Sequence, residues 1–224
     1  MSIDINYDDY DDYEDNDTRV SKKRKINVKD KQKYKEEEFY KFADILIYTI
    51  GNEVHYSTCV TKMSIEILIR QISDIIEKFY KDHDVSDELT ITYIIDSGGG
   101  SVHSCLKFID FLGLSKQKYS GLKFVSVISG FAASAASVMA CVADERYMTK
   151  YSCAMIHELS SGTSGRYTQM DAYAKNLTNL HNMLVDIYLE HCNLTRKHLE
   201  KKMKSDQWYR SDEYLADGFV DKIK

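Results

Sequence analysis

Phe124-Val-Ser-Val-Ile-Ser-Gly-Phe-Ala-Ala-Ser134 is the segment on which the architecture turns. It reads as a buried β-strand, a turn at Gly130, and a run of small residues opening a helix at a serine. A helix start presents N–H groups without intrahelical partners at the positive end of the dipole. A hydroxyl there faces an environment that favours developing negative charge. Twenty-three residues on, His157 closes the apolar run Ala154-Met-Ile-His157, and Asp206 stands just before Trp208. Serine, histidine and aspartate are the parts of a hydrolytic triad.

To either side of that segment the chain alternates strand and helix. On the N-terminal side, Leu89 to Ile95 is a β-branched strand ending in Asp96-Ser-Gly-Gly-Gly-Ser101, and Val102 to Leu112 follows as a helix. Earlier, Ile45 to Ile50 and Val54 to Val60 read as short strands around Gly51. A helix from Met63 to Tyr80 carries one apolar face, with Ile65, Leu68, Ile69, Ile72, Ile75, Ile76 and Phe79 at spacings of three and four. Beyond Ser134, a helix to Ala143 leads to short strands at Arg146–Met148 and Ala154–Ile156. A long helix from Tyr167 to His191, a shorter one from Thr195 to Met203, Asp212 to Ala216 and a Phe219–Ile223 segment close the chain. This rhythm predicts an α/β fold of parallel βαβ units with helices covering the sheet.

Composition narrows the function classes. The chain has 224 residues, enough for one domain and a tail. A net charge of −5 gives no reason to expect nucleic-acid binding. No apolar stretch reaches the roughly 18 residues of a membrane span, and the acidic opening does not read as a signal peptide. The five cysteines lack a Cys-x-x-Cys pair and read as reduced thiols of a soluble, cytoplasmic protein. Proline is absent, so glycine alone punctuates the chain. Residues 1–38 hold an acidic stretch with Tyr7, Tyr10 and Tyr13, then the basic cluster Lys22-Lys-Arg-Lys25. They read as a disordered charged arm ahead of a domain over residues 39–224.

Taken singly, each candidate has an ordinary structural explanation. The Gly98-Gly-Gly100 turn lacks G-x-G-x-x-G spacing and a Walker lysine, so a nucleotide site is not its reading; stabilising an oxyanion is the other use of such a turn. Ser134 among alanines can be a helix-packing residue, His157 a satisfied core histidine, and Asp206 a surface carboxylate. Ser137 is the nearest rival nucleophile, but inside the helix its hydroxyl is expected to bond back to a carbonyl. Asp171 and Asp186 compete with Asp206 for the third position.

In combination these motifs resemble the Clp protease proteolytic subunit, the ClpP family of serine peptidases. Ile95-Asp-Ser-Gly-Gly-Gly-Ser-Val102 is similar to that family's Ile-Asn-Ser-Pro-Gly-Gly-Ser-Val turn, and Gly130-Phe-Ala-Ala-Ser134 to its Gly-Met-Ala-Ala-Ser nucleophile motif. Met155-Ile-His157 matches the histidine motif, with Gly165 where the family keeps a glycine. The spacing from Asp206 to Asp217-Gly-Phe-Val-Asp221 matches that from the family's aspartate to its closing segment. The likeness runs from about residue 42 to the end.

The resemblance implies a ClpP/crotonase-like spiral of repeated ββα units with a protruding long helix for ring–ring contact. It implies a serine endopeptidase with Ser134 as nucleophile, His157 as general base and Asp206 as its orienting partner. The backbone N–H groups of Gly100 and Ala135 would form the oxyanion hole. Gly99, Ser101, Val102, Glu158 and Leu159 would bind substrate. No metal or cofactor is implied. The implied partners are further copies of the chain, in a ring stacked in two layers of seven, a polypeptide substrate, and an ATP-driven AAA+ unfoldase. Departures are Gly98 for the turn's proline, Glu158-Leu159 for Gln-Pro, and an arm unlike the axial loop that engages the unfoldase. Two other readings use the same fold: a catalytically silent ring scaffold, and a hydratase or isomerase of the acyl-CoA type. The intact Ser134, His157 and Asp206 argue against the first, and the paired Gly-x-Ala-Ala-Ser and Met-Ile-His motifs against the second.

Overall fold

The computed structural model describes residues 46–224. The charged arm expected over residues 1–38 and the start of the domain at residue 39 lie outside the described residues. Strands β1 (Ile47–Ile50) and β2 (Glu53–Tyr56) form a hairpin around Gly51. Helix α1 (Lys62–Tyr80) follows, capped by Thr61, whose hydroxyl accepts the Ser64 N–H while Ser64 Oγ accepts the Thr61 N–H. Its inward face is the one read from spacing: Ile65, Leu68, Ile72 and Ile76 are buried, and Ile69, Ile75 and Phe79 pack at its margin.

Next come β3 (Leu89–Ser97), α2 (Val102–Lys118), β4 (Leu122–Ala133) and α3 (Ala135–Cys141). They are followed by β5 (Glu145–Met148), β6 (Cys153–Ile156), α4 (Tyr167–His191) and α5 (Arg196–Met203). Strand β7 (Gln207–Arg210), α6 (Ser211–Ala216) and β8 (Lys222–Ile223) end the chain. The sheet order is β1-β2-β3-β4-β5-β8, with β6 joined to β4 and β7 to β6. Every pairing of these strands is parallel except β1–β2 and β6–β7. Among the described residues, no helix is long and apolar enough to cross a membrane.

Several boundaries differ from the sequence reading: β2 stops at Tyr56 rather than Val60, α3 at Cys141 rather than Ala143, and β7 is not read from the sequence. Two further differences bear on the site's frame. Helix α2 runs six residues past Leu112, because Gly113 faces open space while Leu112 and Ser115 bury that turn. The cost of an exposed glycine, about 1 kcal/mol, does not end a helix that packs this way. Strand β4 does not turn at Gly130. It passes through it, and the register with β3 jumps from Ile95↔Ile128 to Ser97↔Ala132. Gly130 (φ 103) is therefore a bulge, and a Cβ there would sit 2.5 Å from Asp96 Oδ1. That same oxygen accepts the Phe131 N–H at 3.2 Å. Before the bulge β4 pairs with β5; after it, with β6. The glycine thus switches the strand's neighbour rather than ending the strand.

Candidate active site

The registers explain why distant residues meet. Ala133 of β4 pairs with Met155 of β6, so both parallel strands end on one side of the sheet, and the Ser134 N–H donates to Met155 O at 2.9 Å. Ser134 and His157 are the residues that next leave those strands. Ile156 of β6 pairs with Gln207 of antiparallel β7, so the step beyond that pair sets Asp206 beside His157. Ser97 pairs with Ala132, which brings the glycine turn to the same edge. The carboxyl ends of neighbouring parallel strands are where open α/β sheets hold their sites.

At that edge His157 Nε2 lies 2.7 Å from Ser134 Oγ, within hydrogen-bond reach. Asp206 Oδ1 stands 3.8 Å from His157 Nδ1, an ion-pair distance too long for a hydrogen bond. The imidazole is 24% exposed and the carboxylate 74%, so the aspartate sits at the wet rim. Ser134 has φ 56 and ψ −128, a conformation a non-glycine residue adopts only when its surroundings impose it. Asp206, with φ 46, is also left-handed, which a short polar side chain tolerates more readily. The rival residues are engaged elsewhere. Ser137 Oγ donates to Ser134 O at 2.7 Å, the back-bond expected of it; Asp171 pairs with Lys175 and Asp186 with Arg196.

Gly100 bridges Val60 in parallel fashion: the Val60 N–H donates to Gly99 O at 2.8 Å and the Ser101 N–H to Val60 O at 2.7 Å. In such a bridge the central residue's own N–H points away from its partner strand. A cavity of about 70 Å³ is lined there by Gly100, Ser134, Ala135 and His157, with Val138, Leu184, Tyr188 and Met203 among its apolar walls. A groove of about 630 Å³ shares Gly100, Val102, Leu159 and Ser160 with it and extends along α4 past Tyr173, Leu177 and Leu180. That volume is in the usual range for a binding cleft.

Of the residues read as substrate-binding, Val102, Glu158 and Leu159 line the cavity, and Ser101 lines the groove. Gly99 instead backs the serine: a Cβ on it would lie 2.4 Å from Ala133 O and 2.7 Å from Ser134 Cβ. The sequence reading does not single out Tyr188, Leu184 or Met203 as site residues. Leu184 and Tyr188 sit four apart on α4, a spacing that reads only as a core stripe, and nothing in sequence marks the wall they form.

The mostly parallel sheet with its helices and the glycine turn at its edge is consistent with the ClpP/crotonase-like fold. The histidine in contact with a serine at the strand–helix junction is the feature that the acyl-CoA branch of that fold lacks. The comparisons with known proteins are more specific. The Clp protease family matches residues 57–224. The ATP-dependent Clp protease proteolytic subunit 1 of Chlamydia abortus is 30% identical over 158 residues, which cover 69% of this chain and 80% of that protein. Its counterpart in Chlamydia pneumoniae is 29% identical over 192 residues, covering 83% and 94%. The Protochlamydia amoebophila protein of the same name is 28% identical over 155 residues, covering 67% and 73%. The chain belongs to the Clp protease family.

Proposed function

We propose that this protein is a serine endopeptidase that cleaves unfolded polypeptides or short peptides with Ser134, His157 and Asp206. The observation that carries the reading is the 2.7 Å contact between Ser134 Oγ and His157 Nε2 at a cavity lined by Gly100 and Ala135. Neutral His157 accepts the Ser134 proton as Oγ attacks the scissile carbonyl. The N–H groups of Gly100 and Ala135 donate to the oxygen as it becomes negative, each worth roughly 3 kcal/mol in comparable sites. The imidazolium then returns the proton to the leaving amine, and water, activated by the same imidazole, releases the acyl group. Asp206 steadies the imidazolium by closing the remaining distance when substrate orders the rim, as such contacts often do. Extended substrate lies in the groove between the Gly100–Val102 turn, Leu159–Ser160 and α4.

The assembly that fits this site is a homo-oligomeric ring, stacked in two layers, with α4 as the contact between layers. Supporting it, α4 buries only Leu184, Val185 and Tyr188, while Tyr167 and Met170 near its start are exposed. The relatives are named as ATP-dependent, and an AAA+ unfoldase is the corresponding partner here. Without one, the protein should cleave short peptides and leave folded proteins intact; unaided digestion of a folded protein would remove the need for that partner. The activity itself is tested with fluorogenic peptides. The expected result is turnover by the wild type and a loss of at least ~10³-fold in Ser134→Ala, and equal rates in the two would refute the proposal.

A further inference from the structure

Directly behind the nucleophile lies a polar relay that the reaction scheme leaves unused. Ser137 Oγ donates to Ser134 O at 2.7 Å and lies 2.6 Å from Tyr188 Oη. A serine hydroxyl has one proton, and here it goes to the carbonyl. The tyrosine proton must therefore make the second contact, so the chain runs Tyr188 O–H to Ser137 O–H to the Ser134 carbonyl. Both side chains are buried, and the tyrosine ring stands edge-on to Phe219 at 5.7 Å, which fixes where its hydroxyl points. The Ser134 carbonyl also accepts the N–H groups of Ser137 at 2.9 Å and Val138 at 3.3 Å.

The consequence follows from peptide geometry. The Ser134 C=O and the Ala135 N–H belong to one planar trans peptide and point in opposite directions. Holding the carbonyl toward α3 therefore aims the Ala135 N–H toward the cavity it shares with Ser134 and Gly100. Ser134 is in a strained conformation, so this peptide has reason to rotate unless something holds it.

We propose that Tyr188 and Ser137 are positioning residues that lock the Ser134–Ala135 peptide and so keep the Ala135 N–H aligned on the oxyanion. The inference rests on the proposed peptidase reading and adds to it two hydroxyls that act through the Ser134–Ala135 peptide rather than on the reacting atoms. Its test uses the full chain with Tyr188→Phe, which keeps the ring against Phe219 and the cavity wall and removes only the hydroxyl, and Ser137→Ala. Three readouts are taken: kcat and KM on a fluorogenic peptide, affinity for a peptide boronate that forms a tetrahedral adduct on a serine, and the preference among peptides differing at the residue before the cut. In Tyr188→Phe, kcat should fall about 5- to 10-fold, the worth of one buried hydrogen bond. KM and the preference should not move, and boronate affinity should fall with kcat. The double variant should be little worse than Ser137→Ala alone, because one relay is broken either way. Wild-type kcat and boronate affinity in Tyr188→Phe, in an assay where Ser134→Ala is inactive, would overturn the relay and leave the peptidase standing. A rise in KM at constant kcat would overturn it too, by making the tyrosine a substrate contact. No cleavage by the wild type would end both proposals together.

Discussion

Ser134 combines two demands that ordinarily conflict, a side chain and a positive φ. A non-glycine residue held there costs of order 1–3 kcal/mol. The neighbours that impose it are identifiable: Met155 O takes the N–H, the first turn of α3 takes the carbonyl, and Gly99 leaves the space a methyl would fill. Asp206 is the looser member of the proposed triad, exposed and 3.8 Å from His157. Water screens a carboxylate at such a rim, so its removal should cost less than the ~10⁴-fold seen where the aspartate is buried. Asp206→Asn is expected to lower kcat on peptides about 10²-fold, the range of a positioned proton-transfer partner, and an unchanged kcat would take Asp206 out of the triad. Much of this is legible in sequence, because Ser134, His157 and the glycine turn carry motifs at characteristic spacings. Tyr188 is not legible: its polar partner is fifty-one residues away, and on α4 it reads as another core aromatic.

Among the elements, the helices are easiest to read, since apolar spacing on α1 and the N-cap residue Thr195 of α5 act locally. The strands that matter most are harder. Strand β7 has only four residues, and Trp208 in it is exposed while Tyr209 is buried, so it offers almost no pattern. Yet its antiparallel register is what delivers Asp206. The bulge in β4 reads as a turn in sequence because its cause, the Asp96 carboxylate, comes from another strand.

A second long-range device joins the ends of β5, α4 and the closing segment. Arg146 donates from its backbone N–H and Nε to Asp221 Oδ2, at 2.8 and 3.1 Å, and from its guanidinium to the carbonyls of His191 and Gly218. Partial burial pushes the Asp221 carboxyl upward, but the hydrogen bonds and charge of Arg146 outweigh it and hold it below its ordinary value. Burial first, and then the Arg146 charge, lowers His191 as well. Both groups bind protons less readily folded than unfolded. Their contribution to stability is therefore complete above the unfolded values, about 6.5 for His191 and 3.9 for Asp221, and is lost as pH falls through them toward the lower folded values. Melting temperature should drop as pH falls from 7 through about 6.5, and again below about 4, with a shallower drop in Arg146→Met. Parallel pH profiles for the two proteins would show that this clasp does not set the acid limit.

For the protein as a whole, α4 is the feature a single chain does not explain. From Tyr167 to Met183 it has no buried residue, although Tyr167, Met170 and Met183 are large and apolar. Stacked rings joined through this helix would give it a partner. Met170→Asp is then expected to shrink the particle from two layers to one by light scattering; a wild type that runs as a monomer would contradict the ring. Sequence periodicity finds the helix, but does not say that half of it stands clear of its own core, because a stripe for a partner and a stripe for the core look alike.

The substrate groove and the relay both presuppose that the Ser134 hydroxyl, activated by His157, is the nucleophile. Reaction with a fluorophosphonate, followed by mass spectrometry of the labelled peptide, reads that out without any substrate. One adduct is expected, on Ser134, and it should disappear in His157→Ala. No adduct on the native protein, or an adduct on Ser137 in its place, would contradict the assignment.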